Sequence, residues 1–157
     1  MALSLGKKFE QKLKEDFLKV GGSFIYRLPD QVTGHKFTSA NISDFIAFVK
    51  PNIFLIEVKT ISGNTFPFSN FSQYEKLLPY KDINGLRVGV VIWFTERDRV
   101  IYVPLKTIEK MKQDDKKSIN IKTIDTEPYE FISIPSVKKR TFMNSDYSVL
   151  CNLPEGW

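Results

Sequence analysis

The chain has 157 residues, 42% of them hydrophobic and 26% charged, with thirteen Phe, which suits one domain with a well-filled interior. Its single cysteine, Cys151, excludes an intrachain disulfide, and its longest apolar run, residues 88–94, is far too short for a membrane span. No signal-peptide core opens the sequence, so a soluble cytoplasmic protein is expected, and the formal charge of +5 points to a polyanionic partner.

Residues 5–20 predict a helix, because Leu5, Phe9, Leu13, Phe17 and Val20 recur at helical spacing and Gly21-Gly22 follow. Residues 23–28 read as a short strand and 29–42 as a polar loop. Two strands follow closely, 43–49 and 53–60, then a turn at Ser62-Gly63-Asn64. A helix is expected near 70–80, with a capping box from Ser72 to Glu75 and a limit at Pro79. Residues 86–94 are nearly all apolar, as in a central strand covered on both faces. Residues 99–103 pair with it, Leu105, Ile108 and Met111 mark a short helix, 112–117 a charged loop, and 129–134 a last strand. This order implies a mixed sheet flanked by helices, with no repeat and no domain boundary.

The chemistry is concentrated in residues 42–60, ISDFIAFVKPNIFLIEVKT. Alternate residues of a strand share a face, so Glu57 and Lys59 point one way and Phe54, Ile56 and Val58 the other. A hairpin about Lys50-Pro51 that sets Phe48 against Ile53 sets Asp44 against Glu57, and a slip of two residues sets Asp44 against Lys59. Both registers keep the three side chains on one face, whereas a slip of one separates them. Two carboxylates about 5 Å apart repel by roughly 3 kcal/mol at an effective dielectric near 20. A hard divalent cation relieves that repulsion, and oxygen ligands suit Mg²⁺ or Mn²⁺. A lone E-x-K in a strand is ordinarily an exposed ion pair. The upstream Asp across a hairpin and the apolar flanks point instead to a phosphodiester-cleaving centre, in which Lys59 orients a water or neutralises charge on the phosphate. Glu10, at the edge of the first helix's apolar stripe, is placed either over the sheet's end or in solvent.

Asp44 with Glu57-x-Lys59 and a helical Glu10 upstream resembles the PD-(D/E)xK nuclease superfamily, and more closely the RecU-type Holliday junction resolvases. Four stretches carry the likeness: GKKFEQKL with Gly6 and Glu10, Asp44 with Glu57-Val58-Lys59-Thr60, TFPFSNF at 65–71, and KKSINI at 116–121. The resemblance implies an α/β (α+β) restriction-endonuclease-like fold over residues 1–157, a mixed central β-sheet flanked by helices. It also implies a Mg²⁺-dependent, structure-selective endonuclease acting on four-way or other branched DNA as a homodimer, in a bacterial or phage-infected cell. By the same likeness Asp44, Glu57 and Lys59 are catalytic, with Glu10 and Gln73 as further site residues. Metal ligands would come from Asp44, Glu57, the Val58 carbonyl and Glu10. The sequence departs from the family in two places: Tyr74-Glu75 stand where the family has His-Gln, with Gln73 just before, and 29–42 is shorter than the family's stalk.

Candidate DNA contacts are Lys7, Lys8, Arg27, His35, Lys36, Thr60, Lys116, Lys117, Lys138, Lys139 and Arg140, though a single surface cation is more often merely solvated. Two alternatives remain at this point: a nuclease of the same chemistry for another DNA structure, as in repair or restriction, and an inactive nuclease fold that only binds DNA.

Overall fold

The first apolar stripe forms helix α1 (Leu5–Phe17), started by Ser4, whose hydroxyl accepts the Lys7 backbone N–H. The computed structural model describes residues 2–29, 41–154 and 157. After α1 come β1 (Phe24–Arg27), β2 (Phe45–Val49), β3 (Asn52–Ile61), β4 (Thr65–Pro67), the short helix α2 (Tyr74–Leu77) and β5 (Leu86–Phe94). β6 (Arg99–Pro104), α3 (Leu105–Gln113), β7 (Ser118–Asn120), β8 (Ile132–Ile134), β9 (Ser136–Lys138) and β10 (Met143–Ser145) complete the chain. The central sheet runs β1-β2-β3-β5-β6-β8, antiparallel except where β5 lies parallel to β3. It is the mixed sheet with flanking helices that the element order implies.

Alternation along the strands gives the sheet two apolar faces. Phe54, Ile56 and Val58 of β3 join Val91 and Trp93 of β5 beneath α1, in a layer with Phe9, Leu13, Phe17, Met143, Tyr147 and Leu150. Leu55 of β3 and Val88, Val90, Ile92 and Phe94 of β5 face the other way, against Phe66, Phe68, Phe71, Leu77 and the α3 residues Leu105, Ile108 and Met111. The first layer is clasped by Asp16, almost wholly buried, which accepts from Lys12 at 2.8 Å, Lys19 at 3.1 Å and the Ser145 backbone N–H at 2.9 Å. β5 and β6 approach so closely at Gly89 that a Cβ there would lie 2.6 Å from the Val103 carbonyl oxygen and 2.7 Å from the Tyr102 ring.

Several boundaries differ from the sequence reading. α1 ends at Phe17 rather than residue 20, because the chain turns toward Gly22, whose positive φ of 72° suits glycine. The helix expected over 70–80 is one four-residue α-helical turn between two 3-10 turns, with Pro79 inside the second. The expected capping box is not made: Gln73, not Ser72, stands at the N-cap of α2, and no side-chain cap bond forms. The loop expected at 112–117 begins with the last two residues of α3, and the last strand starts at 132 rather than 129. β4 and β7, three residues each, pair as a separate ribbon with Pro67 opposite Ser118. This ribbon joins two of the four family-like stretches. Most of the expected polar loop at 29–42, with His35 and Lys36, lies outside the described residues.

Candidate active site

The β2–β3 hairpin adopts the first of the two registers: Phe48 pairs with Ile53 and Phe45 with Ile56. Asp44, one residue before β2, therefore falls opposite Glu57. Both ends of the aspartate are fixed. Its carbonyl accepts the Leu28 N–H at 2.8 Å, and its Oδ2 accepts the Val58 N–H at 2.8 Å. The buried Ser43 beside it donates its hydroxyl to the Phe45 carbonyl at 2.9 Å, tying down the start of β2. Asp44, Glu57 and Lys59 thus come together at the end of the hairpin, on the sheet face opposite α1.

Burial makes this cluster electrostatically tense. Glu57 is only 5% exposed. Its Oε1 lies 3.4 Å from the Lys59 Nζ, and its Oε2 is buried with no hydrogen-bond partner. Desolvation, then the Asp44 charge, push the Glu57 carboxyl up to about 7, while Lys59 and the Asp44 backbone N–H pull it down. Asp44 is raised as well, chiefly by burial. The Val58 N–H opposes that rise, Glu10 adds to it, and Lys59 and Arg27 reduce it.

Glu10 approaches from the α1 side. Its Oε2 accepts from Arg27 Nε at 2.7 Å and lies 3.6 Å from Lys7 Nζ, while its charge still reaches Asp44 around the sheet's end. It is neither the solvated helix acid nor a third carboxylate in direct contact with the other two. Arg27 also donates to the Leu28 carbonyl at 2.6 Å, so this cation braces the site's acidic rim. That 17-residue link between Glu10 and Arg27 is the feature the sequence reading missed, and no periodicity signals it. Val58 offers its N–H to Asp44, and a strand residue's N–H and C=O point to the same side, so its carbonyl also faces the edge where Asp44 sits. Thr60 turns toward α1, near Gly6, and not toward Glu57. Gln73 stands at the start of α2, its carbonyl bonded to the Leu77 N–H, and among the described residues its side chain makes no hydrogen bond to Glu57 or Lys59.

The remaining candidate contacts do not form one surface. Lys7 and Lys8 lie on the first turns of α1. Lys138, Lys139 and Arg140 lie at the end of β9 and in its turn to β10, on the α1 side, and Lys138 is paired with Asp98 at 2.7 Å. Lys116 and Lys117 lie on the opposite face, before β7, with Lys116 3.3 Å from Glu127.

The residues fit a hard divalent ion in a particular way. Among the described residues no group of three or more His, Cys, Asp or Glu converges as a closed cage. What is present is a pair of carboxylates with one buried, unpartnered oxygen and a neighbouring carbonyl edge. Mg²⁺ and Mn²⁺ accept such partial oxygen sets and complete them with water and phosphate. Among the described residues no helix is long and apolar enough to cross a membrane.

Residues 25–141 match the family described as RecU, recombination protein U. The matched span includes Asp44, Glu57, Lys59 and both strands of the β4–β7 ribbon, and leaves α1 with Glu10 outside it. Among solved structures, the chain is similar to Hjc, a Holliday junction resolvase from the archaeal hyperthermophile Archaeoglobus fulgidus, at a TM-score of 0.55 and 20% identity, over 77% of this chain and 93% of that one. At that identity the likeness is one of fold. No curated protein matches the chain by sequence.

Proposed function

The chain belongs to the RecU recombination protein family, and from that premise we propose that it is a divalent-metal-dependent endonuclease that resolves four-way DNA junctions. The observation that carries this reading is the buried, partnerless Oε2 of Glu57 beside Asp44, held there by a β-hairpin register that keeps Lys59 on the same face. A carboxylate buried beside a second carboxylate that raises its pKa is unfavourable in the isolated protein, which is the signature of a site shaped for a cation.

Asp44 and Glu57, with the Val58 carbonyl beside them, would hold a Mg²⁺ or Mn²⁺ ion, which when bound would supply positive charge at the scissile phosphate and make a water more acidic. The protein's own groups do the rest. The Val58 N–H fixes the Asp44 carboxylate in one orientation before substrate arrives, so little reorganisation is left for the reaction. Lys59, about a quarter exposed, keeps its ammonium against Glu57 while remaining open to substrate. There it orients the attacking water and neutralises charge that develops on a phosphate oxygen. Arg27 holds Glu10 back from the two ligands and moderates its repulsion of Asp44. Symmetric nicking of two strands needs two such sites related by a two-fold axis, hence a homodimer. The folded unit spans residues 1–157 and works in the cytoplasm of a bacterium or a phage-infected cell.

A second reading, a nuclease of the same chemistry for another branched structure, is favoured by the shortness of the 29–42 segment that precedes Asp44. Cleavage of four-way junction, flap and linear duplex, each with and without Mg²⁺, separates the two. Junction-selective paired nicks support the first reading, and equal cleavage of all three refutes it. Asp44→Asn abolishes cleavage of every substrate while junction binding survives, and full activity in that variant sinks the assignment of the ligands.

A further inference from the structure

A cleft of about 870 Å³ opens on the sheet face that also carries Glu57 and Lys59, between the end of β4 and the turn from α3 to β7. Its floor is Pro67 and Phe68, and Ser69 stands at its rim. Its wall carries Lys112, Lys116 and Lys117, against the single carboxylate of Asp115. The two sides are locked together by backbone: Pro67 pairs with Ser118, and the Phe68 N–H donates to the Lys117 carbonyl at 2.9 Å. The cleft is therefore a built feature of the β4–β7 ribbon.

We infer that this cleft carries the DNA strand flanking the cleavage point, with Lys112 and Lys117 on its phosphates and Pro67 and Phe68 against its sugars and bases. The inference rests on the nuclease reading above and adds a binding surface to it. Charge complementarity selects the occupant: with Lys116 paired to Glu127, Lys112 and Lys117 still outnumber Asp115 on this wall, and a net positive wall on the same face as a phosphodiester-cleaving pair favours a continuous polyanion. Lys112 is already oriented before DNA arrives. Its Nζ sits 3.9 Å over the Tyr74 ring, which limits the side-chain freedom lost on binding. The amphipathic floor explains why the cleft far exceeds a phosphate pocket, because a nucleotide presents apolar faces as well as charge.

The test is equilibrium binding of a fluorescent four-way junction in EDTA, across a range of NaCl concentrations. It compares the full chain with the Lys112→Gln/Lys117→Gln double variant, with Ser69→Glu, and with Lys50→Gln as a control at the far end of β2. Two lost phosphate contacts are expected to flatten the slope of log affinity against log salt by about 1.8, and to weaken binding roughly tenfold or more at about 0.1 M salt. Ser69→Glu weakens binding without such flattening, and Lys50→Gln changes neither quantity. Thermal melts superimposable on the wild type show that the substitutions leave the fold intact. Wild-type slope and affinity in the double variant overturn the inference and leave the cleft to an acidic protein segment, while the nuclease reading stands. Failure of the unaltered protein to bind DNA overturns both.

Discussion

Replacing Glu57 by Gln should stabilise the metal-free protein while destroying its cleavage activity. The carboxyl is raised from 4.5 to about 7 in the folded protein. Between those pH values the native state holds a proton that the unfolded chain has lost, so stability falls as pH rises through this window. The deficit is complete above about pH 7. At about 1.4 kcal/mol per unit, this amounts to roughly 3 kcal/mol. Gln resembles the protonated acid in shape and charge, so Glu57→Gln recovers up to that amount near pH 8 and almost none near pH 4. For a chain of this size that is an upward shift in Tm of roughly 6–12 °C. The assay is thermal unfolding in EDTA at closely spaced pH values, repeated with Mg²⁺. Mg²⁺ should raise the wild-type Tm, by about 2.7 kcal/mol of stability at a hundredfold excess over Kd, and leave the variant nearly unmoved. A variant no more stable than wild type near pH 8 in EDTA, or equal Mg²⁺ responses in the two proteins, refutes the claim that Glu57 is held in an unfavourable ionised state for a cation.

Further outcomes follow from other contacts. Arg27→Gln removes a cation that lowers the Asp44 carboxyl, so the acidic limb of the pH–rate profile should move to higher pH; Glu10→Gln should move it the opposite way. Gly89→Ala drives a methyl group into the Val103 carbonyl and the Tyr102 ring inside the central sheet, and should cost about 2 kcal/mol or more, read as a lowered urea midpoint. Asp16→Asn weakens a buried clasp to two lysines and should cost about 1–3 kcal/mol, with a smaller loss at high salt, where the ion pairs are screened.

The central constellation was legible because strand chemistry is periodic. Alternation set the faces of β3 and left two registers open, either of which keeps Asp44, Glu57 and Lys59 together; the choice between them, Phe48 opposite Ile53, came only with the folded hairpin. The Glu10–Arg27 pair was not legible, since a helix and a strand separated by a reversal meet only through tertiary packing. The β4–β7 ribbon escaped for a different reason: three-residue strands, one ending in Pro67, are too short to show any period. The helix read over 70–80 was overestimated because Phe71, Tyr74 and Leu78 have helical spacing, while Pro79 and the 3-10 turns break the hydrogen-bond ladder. The basic stretches near 116 and 138 look equivalent as sequence, yet the fold sends them to opposite faces, and only the first shares a face with Glu57.

The aspartate clasp bears on how this protein could be trimmed. The span matching the family begins at residue 25 and stops at 141, so both α1 and β10 fall beyond it, yet Asp16 and Ser145 fasten these outlying pieces to one another. Excising either would strip Phe9, Leu13 and Phe17, or Met143, Tyr147 and Leu150, from over Ile56 and Trp93 and expose that face of the sheet to water. A minimal protein cut to the matching span would therefore be sticky and prone to aggregate, and the two flanks should be kept or removed together with a replacement roof.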